Sequence, residues 1–288
     1  MTTNLDNSTS AQIKKDTLFG DFDRDDNKDF LLREKSEGKL SVQIFLNKGN
    51  KMEKVESFTI TPEFFSDEQY FKNADVYNKN NGVISITGFC CGNFKTIETH
   101  FYNYNQEAKT WILDKICQHI ISYGPISEYE LEYPTKAISI SGKVLNNIIP
   151  QSNAQRKISA EKLLSESLYK FTKMEIKAIA NVTVKEDFYT FLELIKLVPI
   201  SKENVGKYND LGYYLQQTKT EDGKAQLILE EVVKKFPDRT VAYINLADSY
   251  WDVKSYDEAK TSYNKYIDLM KKSGKEAKIP KKVLERVK

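Results

Sequence analysis

The hydrophobic rhythm of the chain changes near its middle. Before about residue 125, apolar and polar positions alternate in short runs, the period of half-buried strands. Phe30-Leu31-Leu32, within residues 29–34, is a short apolar run. Leu40-Ser41-Val42-Gln43-Ile44-Phe45-Leu46 alternates and meets the turn signal Asn47-Lys48-Gly49-Asn50. Residues 55–60 alternate less strictly, and Val83-Ile84-Ser85-Ile86-Thr87 reads as a strand. Residues 94–104 and 109–116 read as a hairpin around Asn105-Gln106-Glu107-Ala108. Short strands joined by tight turns predict an antiparallel sheet. Tyr133-Pro134 and Ile149-Pro150 interrupt residues 126–158, which read as a connector packed on that sheet, with residues 137–144 as one more strand candidate.

From Ser159 onward the period is helical. Ser159 is placed to cap a helix through Leu163, Leu164 and Leu168. A second helix, over residues 186–197, carries Phe188, Phe191, Leu192 and Ile195 at helical spacing and stops before Pro199. The predicted class is α+β. A flexible tail (1–12) leads into an antiparallel β domain (13–125), then the connector (126–158), then a helical domain (159–288).

Part of the helical domain repeats. Tyr243, Leu246, Ala247, Tyr250, Tyr256, Ala259, Tyr263 and Tyr266 have counterparts in Tyr208, Leu211, Gly212, Leu215, Ala225, Leu229 and Val232, with Pro237 closing the first unit. Leu211 and Leu246 are 35 positions apart. That is the period of about 34 residues typical of helical-hairpin repeats, plus one residue in a turn. Small residues at Gly212, Ala247 and Ala259 let helices approach closely, and aromatics fill the space between hairpins. The stretch resembles two tetratricopeptide (TPR) repeats, about 205–238 and 239–272, with a C-terminal cap helix over 281–287. The resemblance implies α-helical hairpins whose concave face holds a protein ligand. By template position that face carries Asn209, Tyr213, Gln216, Gln217, Asp248, Trp251 and Asp252. Asp248 and Asp252 would make it acidic, and Trp251 would serve either as a partner anchor or as packing against the preceding domain.

A second candidate lies near the start. Gly20 is followed by Asp21-Phe22-Asp23-Arg24-Asp25-Asp26-Asn27-Lys28-Asp29, with aspartates at loop positions 1, 3, 5 and 9. That spacing turns several oxygens toward one hard cation. Leu32 stands where an EF-hand needs its glutamate and Asp26 where it needs glycine, so this is not an EF-hand. With the hairpin that follows and its Leu46-Asn47-Lys48-Gly49 turn, the loop resembles a single FG-GAP/VCBS-type repeat over about 35 residues. The resemblance implies calcium as cofactor, with Asp21, Asp23, Asp25 and Asp29 as ligands. Arg24 and Asp26 replace glycines of that family.

Cys90 and Cys91 end the 83–91 strand, and Cys117 and His119 end the second hairpin strand. If the strands are sequential neighbours, Cys117 is predicted near Cys90 or Cys91, as a disulfide or, with His119, as a zinc set. Three reduced thiols are the other reading. A Cys117–His119 dyad would be the only nucleophilic pairing. No Gly-rich phosphate loop, nucleophile elbow or zinc-protease motif occurs, so no enzyme activity is predicted.

Charge narrows the partners. Lys+Arg of 43 against Asp+Glu of 41 leaves +2, which argues against nucleic acid. No apolar run approaches the ~20 residues of a membrane span, so membrane insertion is not predicted. Residues 1–10 hold no leader-like apolar stretch. The compartment is therefore periplasmic if a signal peptide was removed and cytoplasmic otherwise. As a whole the chain resembles bacterial TPR-containing immunity or inhibitor proteins. That resemblance implies non-catalytic protein–protein binding that neutralises a toxin or secreted effector. The alternatives are a calcium-dependent envelope or carbohydrate-binding protein and an assembly or chaperone adaptor.

Overall fold

A computed structural model describes residues 14–288 apart from 50, 79–81, 91–94, 122–128, 181 and 183. The expected tail (1–12) lies outside the described residues. The fold is α+β: strands occupy the N-terminal half and helices the C-terminal half. The chain divides into two compact units, Met1–Pro150 and Gln151–Lys288.

In the β unit, β1 (Lys14–Gly20), β2 (Asp29–Ser36), β3 (Lys39–Asn47) and β4 (Met52–Ile60) form one antiparallel sheet in chain order. The alternation of residues 40–46 is realised as burial: Leu40, Val42, Ile44 and Leu46 are buried and the residues between them are not. A second antiparallel sheet follows, again in chain order: β5 (Asp75–Asn78), β6 (Val83–Cys90), β7 (Lys95–Asn105), β8 (Thr110–Ile121) and β9 (Tyr129–Glu132). Val76, Ile84, Ile86, Tyr102, Tyr104 and Trp111 of this sheet share one core with Leu31, Leu40, Val42, Ile44 and Ile60 of the first. The stretch read as a connector is divided: residues 129–132 are β9, and residues 137–144 make only isolated bridges, Ile112 to Ser139 and Ile138 to Val144.

The register overturns the expected Cys90–Cys117 disulfide. Cys90 pairs with Thr96 and Cys117 with Thr99, both on β7, so β7 runs between the two cysteine strands. Two strand spacings are about 9.5 Å, beyond the ~7 Å between Cα atoms that a disulfide spans. Cys90 shares its face with Ile86, whereas Cys117 shares the opposite face with Thr87 and His119. The Cys90–Cys117–His119 zinc set fails for the same reason. Cys91 lies outside the described residues.

In the helical unit, α1 (Asn153–Thr172) starts earlier than the expected Ser159 cap, and Ser159 sits inside it. The cap is Ser152: its hydroxyl accepts from Gln155 N at 3.3 Å, and Gln155 Oε1 accepts from Ser152 N at 3.0 Å. This reciprocal box, following the helix-breaking Pro150, fixes the start. Next come α2 (Ile176–Ile179) and α3 (Phe188–Leu197), the latter capped by Asp187, which accepts from Thr190 N at 2.9 Å. Two hairpins follow, α4 (Val205–Gln217) with α5 (Asp222–Lys235), then α6 (Thr240–Asp252) with α7 (Tyr256–Lys272). Their inter-helix turns repeat: Lys219 and Lys254, 35 positions apart, are left-handed at φ 63° and 64°. A Cβ on Gly212 would lie 2.6 Å from Leu229 Cγ, so the glycine permits the close approach of α4 to α5. The short α8 (Lys281–Arg286) buries Val283 against Ala247, Ala259 and Tyr263.

Candidate metal centre and the helical contact residues

The β1–β2 loop is held from three sides. Phe22 is fully buried in the β core, and its carbonyl accepts from Trp111 Nε1 at 3.0 Å. Asp29 opens β2 with its carboxylate fully buried, taking Phe22 N at 2.7 Å and Asn47 N at 2.8 Å. Asp21 turns its oxygens back on the loop, accepting from Asp25 N at 3.2 Å and Asp26 N at 3.3 Å. Arg24 and Asp26 both sit at φ 63°. That left-handed geometry explains why glycine suits these positions.

The result is a carboxylate cluster. One oxygen each from Asp21, Asp23 and Asp29 lies within 4.8 Å of the others. That spread fits ligands about 2.3–2.6 Å from one shared cation. Asp23 is 3 % exposed, and its Oδ1 is buried without a hydrogen-bond partner, an arrangement that costs free energy in the absence of a cation. Its other oxygen accepts from Lys48 Nζ at 2.6 Å. Burial pushes the Asp29 carboxyl up against the pull of the Asn47 and Phe22 amides, and the Asp23 and Asp25 charges add to the rise. The hydrogen bond to Asp23 holds the Lys48 ammonium above its ordinary range. All of the donors are hard oxygens, the set that suits calcium or magnesium over softer metals. Asp25 stands outside this triad: its Oδ1 accepts from Asn27 N at 2.9 Å, and its Oδ2 is 4.0 Å from Lys48 Nζ. Lys48 escaped the sequence reading because it sits in a turn 25 residues from Asp23.

The seven residues assigned to the helical face are largely engaged with their own chain. Asn209 and Gln216 are buried. Asn245 Nδ2 donates to Asn209 Oδ1 at 3.4 Å, and Gln216 Nε2 donates to Asp252 Oδ2 at 2.6 Å, linking α4 to α6. Gln217 donates to Gln216, and Lys219 pairs with Asp252. Asp248 accepts from the Tyr263 hydroxyl, from Lys282 Nζ at 2.7 Å and from an Arg286 amino group at 2.8 Å. Arg286 lies 4.6 Å from the Trp251 ring centre, and Tyr256 and Tyr263 flank the same indole. The two acids expected to line an acidic groove therefore neutralise α8 and the α4–α5 turn. Tyr213 and Gln217 stay half-exposed.

One buried polar network was not anticipated. Glu98 accepts from His100 Nε2 at 2.6 Å, from Gln118 Nε2 at 2.7 Å, and from the amide and hydroxyl of Ser66. Burial would raise its pKa, but these hydrogen bonds outweigh it and hold the carboxyl at about 2. Such a carboxylate is a poor general base at neutral pH. The cluster ties the turn carrying Ser66 to β7 and β8.

Among the described residues, no helix is long and apolar enough to cross a membrane. No family model matches the chain, and no curated protein matches it.

Proposed function

We propose that this is a non-catalytic binding protein whose β unit carries one calcium ion at Asp21, Asp23 and Asp29. The observation that carries this reading is the buried, unpartnered Oδ1 of Asp23 beside two further carboxylates. Calcium would offset the mutual repulsion of the triad and tie the β1–β2 loop to β2 and, through Asp29 and Asn47, to the end of β3. Loading at millimolar calcium would suit a periplasmic or external setting. At a calcium concentration of 100 times Kd the linkage supplies about 2.7 kcal/mol. The β unit is therefore expected to melt at a higher temperature in millimolar calcium than in chelator. Asp21→Ala combined with Asp23→Ala should abolish the shift. An unshifted wild-type melting curve would remove the calcium reading.

The helical unit supports a second element, docking of another protein in the manner of an immunity or inhibitor protein that neutralises a toxin or secreted effector. What favours it is the repetition of one hairpin geometry at 35 residues, as in TPR arrays, together with half-exposed Tyr213 and Gln217. Capture from native extract should give one stoichiometric partner, lost with Tyr213→Ala. Many weak partners would contradict neutralisation and point to an adaptor.

A further inference from the structure

Lys48 sits against the carboxylate cluster. Lys48 Nζ lies 2.6 Å from Asp23 Oδ2 and 4.0 Å from Asp25 Oδ2. The two partners are unequal: the Asp23 side chain is 4 % exposed and that of Lys48 is 43 % exposed. The carboxylate is therefore fixed, while the lysine can swing into water along its flexible stem. The backbone beneath it need not move. Asn47 N is held by Asp29, and Lys48 N donates to Lys51 O at 2.9 Å across the β3–β4 turn. Asp23 Oδ1, unpartnered, remains available whether or not Lys48 is in place.

We propose that Lys48 is a tethered counter-cation that a divalent ion must displace from Asp23, so that it sets the affinity and charge selectivity of the site. The inference rests on the calcium reading above. A monovalent ion replacing the ammonium gains no charge against the aspartates, whereas a divalent ion gains one. The lysine therefore raises the calcium concentration needed for loading and rejects sodium and potassium. It also keeps the Asp23 charge paired when no metal is bound.

The test is calorimetric titration of calcium chloride into the full chain at fixed ionic strength, comparing wild type, Lys48→Gln and Lys48→Arg. Circular dichroism in chelator checks that each variant is folded. Lys48→Gln should bind calcium at least about tenfold more tightly, and Lys48→Arg, which keeps the charge, should stay within about threefold of wild type. In the wild-type protein, acetylation of Lys48 followed by mass spectrometry should accelerate on adding calcium, while Lys51 should not change. This second measurement decides the matter if Lys48→Gln fails to fold. Binding by wild type with no gain in Lys48→Gln, or acetylation of Lys48 indifferent to calcium, overturns the competitor and leaves the calcium site standing. Absence of binding in folded wild type and variants overturns both.

Discussion

Glu98 shows how a single side chain sets an acid limit. Burial disfavours its charge, yet His100, Ser66 and Gln118 hold its carboxyl at about 2, down from 4.5. A carboxyl depressed in the folded state contributes stability that is present above its unfolded pKa and is lost as pH falls through the folded one. Melting temperature should therefore fall as pH is lowered from about 4.5 toward 2. Glu98→Gln should flatten that part of the profile while lowering stability at neutral pH. A wild-type slope retained in Glu98→Gln would assign the acid sensitivity elsewhere. Asp29 has the opposite sign: burial raises its pKa, so its ionisation with rising pH costs the metal-free protein stability.

At the level of elements, local signals served where they were strong. The loop, the 40–46 strand and the hairpin around residues 105–108 were legible because alternation and turn residues agree. β1 was not, since Lys14-Lys15-Asp16-Thr17-Leu18-Phe19-Gly20 is an edge strand, mostly exposed, with little apolar alternation to read. The cysteine pairing is not legible from turns alone, because sequential strand order itself puts β7 between β6 and β8. The start of α1 is set by the Ser152–Gln155 capping box and not by Ser159, whose single hydroxyl lacks a reciprocal partner three residues on in the sequence. The clustering of Asp21, Asp23 and Asp29 is legible from spacing, but Asp25 turning to Asn27 and Lys48 arriving from another turn are tertiary outcomes. Helix ends also hold a strain that sequence alone conceals. At the end of α6, Ser255 N donates to Tyr250 O at 2.9 Å and Lys254 N to Trp251 O at 3.0 Å, with Lys254 at φ 64°. The end of α7 repeats this with Gly274 at φ 68°. Glycine suits the left-handed position better than lysine does, so Lys254→Gly should stabilise the helical unit by about 0.5–1 kcal/mol in denaturant unfolding. A loss of stability would mean that the Lys254 side chain makes a contact worth more than the strain.

At the scale of the whole molecule, each unit has its own core and its own candidate role. The β unit carries the carboxylate triad, and the helical unit carries a repeated hairpin pair closed by α8. Asp248 and Asp252 of the helical unit are spent on internal ion pairs, whereas Asp23 in the β unit keeps a buried carboxylate oxygen without a partner. Trp111 offers a direct way to test it, since its indole donates to Phe22 O within the loop. Terbium bound beside Asp23 should be excited through Trp111 and emit, and calcium should displace it. Trp251→Phe, which removes the other of the two tryptophans, should leave the signal intact, and Asp23→Asn should remove it. Sensitised terbium emission that saturates at one ion per chain and is reversed by calcium is the predicted result. Emission that is absent, or that persists in Asp23→Asn, would contradict the account.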